Sequence, residues 1–470
     1  MHAKMVGDSA ASDLNVSKFR DWCRRNGCFM NKLEVVHTSM GFGLRATAAL
    51  EPNEVAASIP LHLLLTVAAS VRSGVGQLLL RSKTAEKQRV SAQALMYVVM
   101  IHGWHDPSSQ WHEYLRQIPS IHHDPLWWTP EERERRLKGT QLLYEVQRHE
   151  MQLESVYNSL FPELSSELPQ DFPPELYSFS AFRWARSSLA SRCFLETELT
   201  FLDHDPNSLS EEQLISDCPG VLCPLLDTAN HCGTVELQLR RCELKTVHLG
   251  VSQSSAVDEG EEYFINYGNH RTNLQLLLGH GFCIAQNPKD TVPLKLGALP
   301  ALEASKAKQD ALRLASLKVD EVHELSMTDL LPARLLALLR LVSISEELLK
   351  AWCGGETLKE QLLKAIAVDL DPNAELLVLQ VLLQELERRI EAMGERPAVK
   401  VEARDSNYYA ALYRLGQLDI LTAARAEVSS RQKAFIEENC LEDEGEEEED
   451  AAAQDELLED CEATAKRQRR

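Results

Sequence analysis

Apolar residues recur with helical spacing through the last third of the chain. Two sets of residues lie at i, i+3, i+4 and i+7, with one polar exception: Leu335, Leu338, Leu339 and Val342, and Leu376, Leu379, Gln380 and Leu383. This spacing places side chains on one face of an α-helix. Gly394, directly after Met393, is typical of a helix end. The pattern predicts an all-α domain over residues 296–436.

The first two thirds of the chain alternate between two kinds of pattern. Residues 67–200 are mostly helical, and Ser91 is a plausible N-cap for the apolar run that follows it. Two flanking blocks, 35–66 and 220–285, instead contain short β-like runs bounded by Gly, Pro and Asn, namely 55–59, 235–239 and 263–267. We therefore expect an α+β fold, in which a strand-rich core is split by a helical insertion.

Charge is concentrated at the end of the chain. The whole sequence carries 49 basic and 71 acidic residues, a net charge of −22. Residues 437–470 hold 15 acidic and 4 basic residues, or −11, and predict a disordered tail. This excess of acid argues against sequence-blind binding to nucleic acid or an anionic membrane, and favours a basic partner.

The cysteine pattern and the first residues of the chain indicate the cellular compartment. Residues 1–28 contain no apolar stretch of signal-peptide length, and no window is apolar enough to span a membrane. The 11 cysteines never form Cys-x-x-Cys. We expect a soluble monomer of the reducing cytoplasm or nucleus, with no structural metal site.

Three motifs could carry chemistry. Gly41-Phe42-Gly43 would let the backbone approach a ligand, although a plain hairpin turn would explain it equally. Asp227, Asn230 and His231 could hold a polar ligand, or form a turn. Tyr267 would lie at the end of a strand, where a tyrosine commonly packs with its hydroxyl bonded to the backbone.

Taken in order, these motifs resemble those of the SET-domain methyltransferases. The resemblance rests on Gly41-Phe42-Gly43-Leu44, Ser191-Arg192, Asp227-x-x-Asn230-His231, Tyr267-Gly268 and Gly281-Phe282. Within that superfamily the chain is similar to the Rubisco large-subunit methyltransferase type, over about residues 15–430. The resemblance implies a SET catalytic domain at 15–295, a helical substrate-binding domain at 296–436 and a tail at 437–470.

The resemblance also implies a cofactor and roles for individual residues. S-adenosylmethionine would lie along the backbone of Met40, Gly41, Phe42 and Gly43, with Arg192 facing its carboxylate. Asn230 and His231 would hold its amino group and adenine, Asp227 would support that corner, and Phe282 would pack on the purine. Tyr267 matches the family's catalytic tyrosine, and Ser191, Phe264 and Ile265 are expected on the substrate side.

We thus expect a protein-lysine N-methyltransferase acting on a histone or another lysine-rich protein. An apolar channel beside Phe264 and Ile265 would lower the pKa of the lysine, whose free value is about 10.4. Two alternatives stay open. The first is a protein-histidine N-methyltransferase on the same fold, and the second is a catalytically silent module that binds a protein partner.

Overall fold

The computed structural model describes residues 9–38, 41–194, 220–236, 238–242, 246–250, 256–295, 305–345, 347, 372–399 and 404–439. The chain divides into two compact units. The first unit contains Met1–Thr129, Glu145–Arg271 and Gln275–Phe282, and the second contains Pro130–Tyr144, Thr272–Leu274 and Cys283–Arg470. The residues are thus interleaved between the units, which nothing in the sequence pattern indicates. The predicted domain boundaries stay a prediction.

Short strands build the sheets of the first unit. Their bounds are β1 Phe29–Met30, β2 Leu33–Thr38, β3 Gly41–Ala46, β4 Val55–Pro60, β5 Cys193–Phe194, β6 Val221–Leu222, β7 Asn230–His231, β8 Gln238–Cys242, β9 Thr246–Gly250 and β10 Glu262–Ile265. One sheet has the order β1-β4-β9-β8, a second has the order β2-β3-β10-β7, and β5 pairs with β6. The run expected at 235–239 begins as a strand only at Gln238.

Helices separate the two strand-rich blocks, as expected, and one further helix precedes the first block while another lies within the second. Their bounds are α1 Ser9–Arg25, α2 Val67–Arg72, α3 Gly74–Arg81, α4 Lys83–Gln88, α5 Ala92–His105, α6 His112–Gln117, α7 Pro130–Leu137, α8 Gln141–Glu167, α9 Phe179–Arg192 and α10 Asn273–His280. The Ser91 hydroxyl caps α5 by accepting a hydrogen bond from the Ala94 N–H over 3.1 Å. The α+β class with a helical insertion is confirmed.

The core of the first unit joins strand and helix side chains. Apolar residues of β2, β3 and β4 pack in one cluster with those of α5, α6 and α9. Helix α5 is buried on nearly every side, with Leu95, Val98 and Met100 at most 1% exposed. A helix that is apolar all round needs such an interior position.

The second unit is mainly helical but not all-α, which corrects the prediction. Its remaining elements are β11 Val292–Lys295, β12 Val322–Leu325, α11 Lys306–Ala315, α12 Ala333–Ser343, α13 Pro372–Met393 and α14 Ser406–Asn439. Strands β11 and β12 pair antiparallel. Residues of β12 alternate between exposed and buried positions, a period of two that fits a strand rather than a helix. Gly394 ends α13 with φ +69°, as its position predicts.

Helix α14 extends past Glu437 to Asn439, so the first residues of the predicted tail are helical. The rest of the acidic tail, 440–470, lies outside the described residues. Within the portion that is described, no helix combines the length and apolar character needed to cross a membrane.

Candidate functional site

Three of the predicted motifs meet at the junction of β3, β10 and β7. Strand β10 runs antiparallel to β3 and parallel to β7. In the second pairing Phe264 lies opposite Asn230 and Ile265 lies opposite His231. The sheet thus brings the glycine motif, the Asn-His pair and the strand leading to Tyr267 into one place.

Asn230 is held by two side chains that the sequence motifs do not include. Its Nδ2 donates to Oε1 of Glu262 over 2.6 Å and to the Thr38 hydroxyl over 3.3 Å. These bonds use the donors of the amide and leave its Oδ1 as an acceptor. A Cβ at Gly43 would come within 2.6 Å of Glu262, 2.8 Å of Thr38 and 2.9 Å of Asn230. Only glycine therefore fits beside this group.

The chain turns sharply just before Gly43. Gly41 has φ +102°, a conformation that other residues rarely adopt, and its carbonyl accepts a hydrogen bond from the Thr38 hydroxyl over 3.0 Å. Phe42 is half-buried and packs edge-on against His37, with ring centroids 5.6 Å apart. Met40 lies outside the described residues.

Asp227 forms a second, buried group with Arg192 and Tyr114. The Tyr114 hydroxyl donates to Oδ2 of Asp227 over 2.5 Å. Nη1 of Arg192 donates to the Asp227 main-chain carbonyl over 3.1 Å and lies 3.5 Å from Oδ2. Burial raises the pKa of Asp227, and the Arg192 charge and the Tyr114 hydrogen bond act in the opposite direction. Oδ1 of Asp227 is buried without a hydrogen-bond partner in the described chain.

The backbone that presents Asp227 is strained. Leu225, which precedes the short 3-10 helix Leu226–Thr228, has φ 75° and ψ −51°. A non-glycine residue in such a conformation costs about 1–3 kcal/mol and persists only where its surroundings hold it. Leu225 is itself fully buried. Strain of this kind concentrates at functional sites, which fits the position of Asp227.

Tyr267 is fixed at both ends. Its main-chain N–H donates to Nδ1 of His231 over 3.0 Å, and its hydroxyl donates to the Ala229 carbonyl over 3.0 Å. Burial raises the pKa of Tyr267 to about 12 and lowers the pKa of His231. Both groups are therefore neutral near pH 7, and Nδ1 of His231 is the acceptor nitrogen.

Three rings gather around Tyr267. The His280 ring stacks on it with centroids 4.7 Å apart, and the His231 ring lies at 5.1 Å. Phe282 lies 6.4 Å from Tyr267 and 5.9 Å from His231. The predicted residues Tyr267, His231 and Phe282 thus share one aromatic cluster.

The remaining predicted residues do not all face this site. Phe264 is half-buried, whereas Ile265 is 3% exposed and belongs to the hydrophobic core. Neighbouring residues of a strand point to opposite faces, so the two cannot line one channel, and the expectation for Ile265 is corrected. The Ser191 hydroxyl donates back to the Ser187 carbonyl within α9, over 2.8 Å.

Sequence reasoning missed Thr38, Tyr114, Glu262 and His280. The sequence contains a signal for two of them, Glu262 and His280. Glu262 precedes Phe264 by two positions in a strand, so both side chains share a face. His280 lies directly before Gly281-Phe282, at a helix end. Among the described residues, no cluster of His, Cys, Asp and Glu is arranged to hold a metal ion.

Known proteins resemble this chain in sequence. The family described as Rubisco LSMT substrate-binding matches residues 303–421. The actin-histidine N-methyltransferase of Mus musculus is 27% identical over 345 residues, which cover 72% of this chain and 54% of that protein. The enzyme of the same name from Canis lupus familiaris is 26% identical over 344 residues, covering 71% and 54%. The chain spans about half the length of these curated relatives.

Solved structures resemble it in fold. The SET domain of LSMT bound to lysine and AdoHcy has a TM-score of 0.69 at 18% identity, over 95% of this chain and 99% of that one. Rubisco LSMT bound to AdoMet has a TM-score of 0.68 at 20% identity, over 94% and 99%. The chain therefore has the fold of the SET-domain proteins of the Rubisco LSMT type, and its residues 303–421 match the substrate-binding domain of that family.

Proposed function

We propose that this protein is an S-adenosylmethionine-dependent protein N-methyltransferase. The observation that carries the proposal is that Gly43 and Asn230 meet on strands of one sheet, with Tyr267 two residues beyond the end of β10 and bonded to His231. Curated relatives named as N-methyltransferases, and solved structures of this fold bound to AdoHcy and AdoMet, also support the proposal.

The residues present suit such a donor. Glycine at position 43 lets the side chains of Glu262 and Asn230 pack directly against the backbone of β3, which places both beside the proposed donor site. Oδ1 of Asn230 is placed to accept a hydrogen bond from the donor's ammonium group, with the Glu262 carboxylate alongside. Both Arg192 contacts to Asp227 use Nη1, so the other guanidinium donors can bind a carboxylate. Phe282 and His231 would pack against the adenine.

Bound S-adenosylmethionine supplies an electrophilic methyl group, which an unprotonated acceptor nitrogen takes in line. The protein's part is alignment. The Tyr267 hydroxyl directs its proton to Ala229, which leaves the lone pairs of its oxygen to accept a hydrogen bond from an N–H of the acceptor side chain. In lysine that N–H belongs to the reacting amine, and in histidine it belongs to the ring nitrogen that does not take the methyl group. A phenol with a pKa of about 12 stays neutral, so it orients the nitrogen rather than removing its proton.

We propose that the acceptor of the methyl group is a histidine side chain of a protein. Curated relatives that align with this chain over 344 and 345 residues are named actin-histidine N-methyltransferases. An imidazole has an ordinary pKa of about 6.5, so most of it is already unprotonated near pH 7. Such an acceptor needs orientation but no deprotonation, which matches the neutral Tyr267 and His231 of this site.

Lysine is the second candidate. Solved structures of this fold include LSMT SET domains bound to lysine and to methyl-lysine. A lysine ammonium would first have to lose its proton, and an apolar wall favours that loss by desolvation. Phe264, half-buried on the face of β10 that it shares with Glu262, is the described residue suited to that wall.

The test is transfer of a labelled methyl group. The purified chain is incubated with labelled donor and a protein extract that contains actin, and the modified residue is mapped by mass spectrometry. A labelled histidine supports the first acceptor and a labelled lysine supports the second. If the donor binds but no protein is labelled, the methyltransferase proposal fails. The catalytically silent module that binds a protein partner would then be the function.

A further inference from the structure

His280 contacts the proposed reaction centre but has no assigned role. It is the last residue of α10, and the next residue, Gly281, has φ +79°. A Cβ at Gly281 would lie 3.0 Å from the Asp124 backbone nitrogen. The glycine therefore lets the chain turn at the helix end, with His280 on one side of the turn and Phe282 on the other. Both rings meet Tyr267.

The contact between His280 and Tyr267 differs from the other ring contacts of this cluster. The two rings are 4.7 Å apart and only 25° from parallel. His231 is tilted by 37° and Phe282 by 66° relative to Tyr267. His280 is thus the one of these three rings that covers a face of the phenol. The hydrogen bonds of Tyr267 fix its backbone and its hydroxyl, whereas rotation of the ring plane is opposed by what lies against its faces.

The chemistry of the imidazole suits a purely positioning contact. Burial, with smaller contributions from Arg271 and His231, lowers the pKa of His280 to about 3, so the ring is neutral. Its Nδ1 is buried and has no hydrogen-bond partner among the described residues. The contact with Tyr267 is therefore one of ring faces, without charge.

We propose that His280 is a positioning residue for Tyr267, whose stacked ring holds the phenol so that its hydroxyl stays on the Ala229 carbonyl. The inference rests on the proposed function, since it concerns the residue given the aligning role. It goes beyond that function by assigning a specific task to a side chain outside the motifs. The ring face, rather than either ring nitrogen, performs this task.

Two substitutions separate the ring from its nitrogens. His280→Phe keeps an aromatic face. It removes the buried Nδ1, which lacks a partner in the described part of the chain, and also the hydrogen bond of the imidazole with the Ser191 backbone, so its thermal stability is measured beside kcat. His280→Leu removes the face. His62→Leu, at an exposed position of the same unit, is the matched control. Each variant is measured for kcat, for donor affinity by calorimetry and for thermal stability.

His280→Leu should lower kcat by about threefold to tenfold, the range expected for loss of one aromatic pair in the aligned state. Donor affinity should stay within about twofold of the wild type, because His280 is not among the residues proposed to hold the donor. His280→Phe and His62→Leu should keep kcat within about twofold. A His280→Leu enzyme with wild-type kcat would overturn the proposal, and so would a His280→Phe enzyme as slow as His280→Leu.

A spectroscopic measurement tests the same proposal without methyl transfer. In protein labelled with carbon-13 at the tyrosine Cζ, the Tyr267 signal is assigned by its loss in Tyr267→Phe. This carbon reports the hydrogen bond of the hydroxyl, so its signal should move in His280→Leu and stay in His280→Phe. An unchanged signal in His280→Leu would contradict the positioning role. If the wild type transfers no methyl group, the proposed function fails, and this comparison still decides whether His280 positions the phenol.

Discussion

Arg192 donates from Nη1 to the main-chain carbonyl of Asp227 over 3.1 Å, and the same nitrogen lies 3.5 Å from the Asp227 carboxylate. The carboxylate is fully buried and the Arg192 side chain is 15% exposed. One guanidinium thus joins the end of α9 to the strained turn that presents Asp227. This pair couples folding of the first unit to the geometry of the proposed donor site.

Arg192→Ala should therefore weaken both stability and donor binding. Removal of one partner leaves a buried carboxylate unpaired, which costs about 3 kcal/mol of unfolding free energy. Donor affinity should fall by about tenfold, since a charge-assisted contact of a guanidinium contributes about 1.5 kcal/mol or more. Chemical denaturation and calorimetric titration measure the two effects.

The double variant Arg192→Ala with Asp227→Asn separates these effects. Without the buried charge, part of the stability should return, while donor affinity stays low. Arg24→Ala is the control, because its ion pair with Asp21 is exposed on both sides and such pairs contribute little. Wild-type donor affinity in Arg192→Ala would remove Arg192 from the proposed site.

The space beside Asn230 gives a second prediction. Gly43→Ala places a methyl group 2.6 Å from Glu262 and 2.9 Å from Asn230, so these side chains must shift. We expect donor affinity to fall by at least about tenfold, because Asn230 loses the position that its bond to Glu262 provides. Gly74→Ala is the matched control, since a Cβ there has nothing within 4 Å.

Calorimetry with S-adenosylhomocysteine measures both glycine variants without any turnover. Gly74 lies in the first turn of α3, where alanine is at least as favourable as glycine. Equal affinities in Gly43→Ala and Gly74→Ala would mean that the Gly43, Asn230 and Glu262 group lies outside the donor site.

Local features of the fold could be predicted from the sequence because they depend on near neighbours. The Ser91 cap and the Gly394 helix end each involve residues a few positions apart. The partners of Asn230 and Asp227 could not be predicted in this way. Thr38 lies 192 positions from Asn230, and Tyr114 lies 113 positions from Asp227. No spacing in the chain records such a pairing.

The buried position of Ile265 can be predicted from the sequence. Strand alternation alone separates it from Phe264 and assigns one of them to the core. The position of His280, in contrast, depends on how the helix end turns at Gly281 against Asp124. The close approach of Gly281 to Asp124 is a tertiary contact, which a local sequence pattern cannot indicate.

The second unit contains a carboxylate that should make stability depend on pH. Asp290 is 5% exposed, and burial raises its pKa to about 6 even though it accepts a hydrogen bond from the Asn273 N–H over 2.9 Å. Its pKa in the unfolded chain is about 3.9. The native state therefore binds the proton more tightly, and stability should fall as pH rises from about 4 to 6 and then level off.

The loss attributable to Asp290 should be at most about 3 kcal/mol, from about two units of pKa difference. Denaturation at several pH values compares the wild type with Asp290→Asn, which should lose this part of the slope. Asp320→Asn, at an exposed position of the same unit, should keep it. An identical slope in the wild type and Asp290→Asn would show that Asp290 does not titrate in this range.

The hydroxyl of Tyr267 is the group proposed to orient the acceptor nitrogen toward the methyl group. Tyr267→Phe keeps the ring and its stack on His280 but removes the bond to Ala229. Tyr144→Phe, at a position 60% exposed, is the matched control. Donor affinity should be unchanged in both variants, since the proposed donor contacts lie on other residues.

The most direct measurement is a single-turnover assay, with enzyme in excess over labelled donor and the acceptor protein identified by mapping. The account predicts that Tyr267→Phe slows transfer by about 100-fold or more, the range typical for loss of one preorganised hydrogen-bonding group. Tyr144→Phe should transfer at the wild-type rate. A Tyr267→Phe enzyme that binds the donor and transfers its methyl group as fast as the wild type would contradict the account.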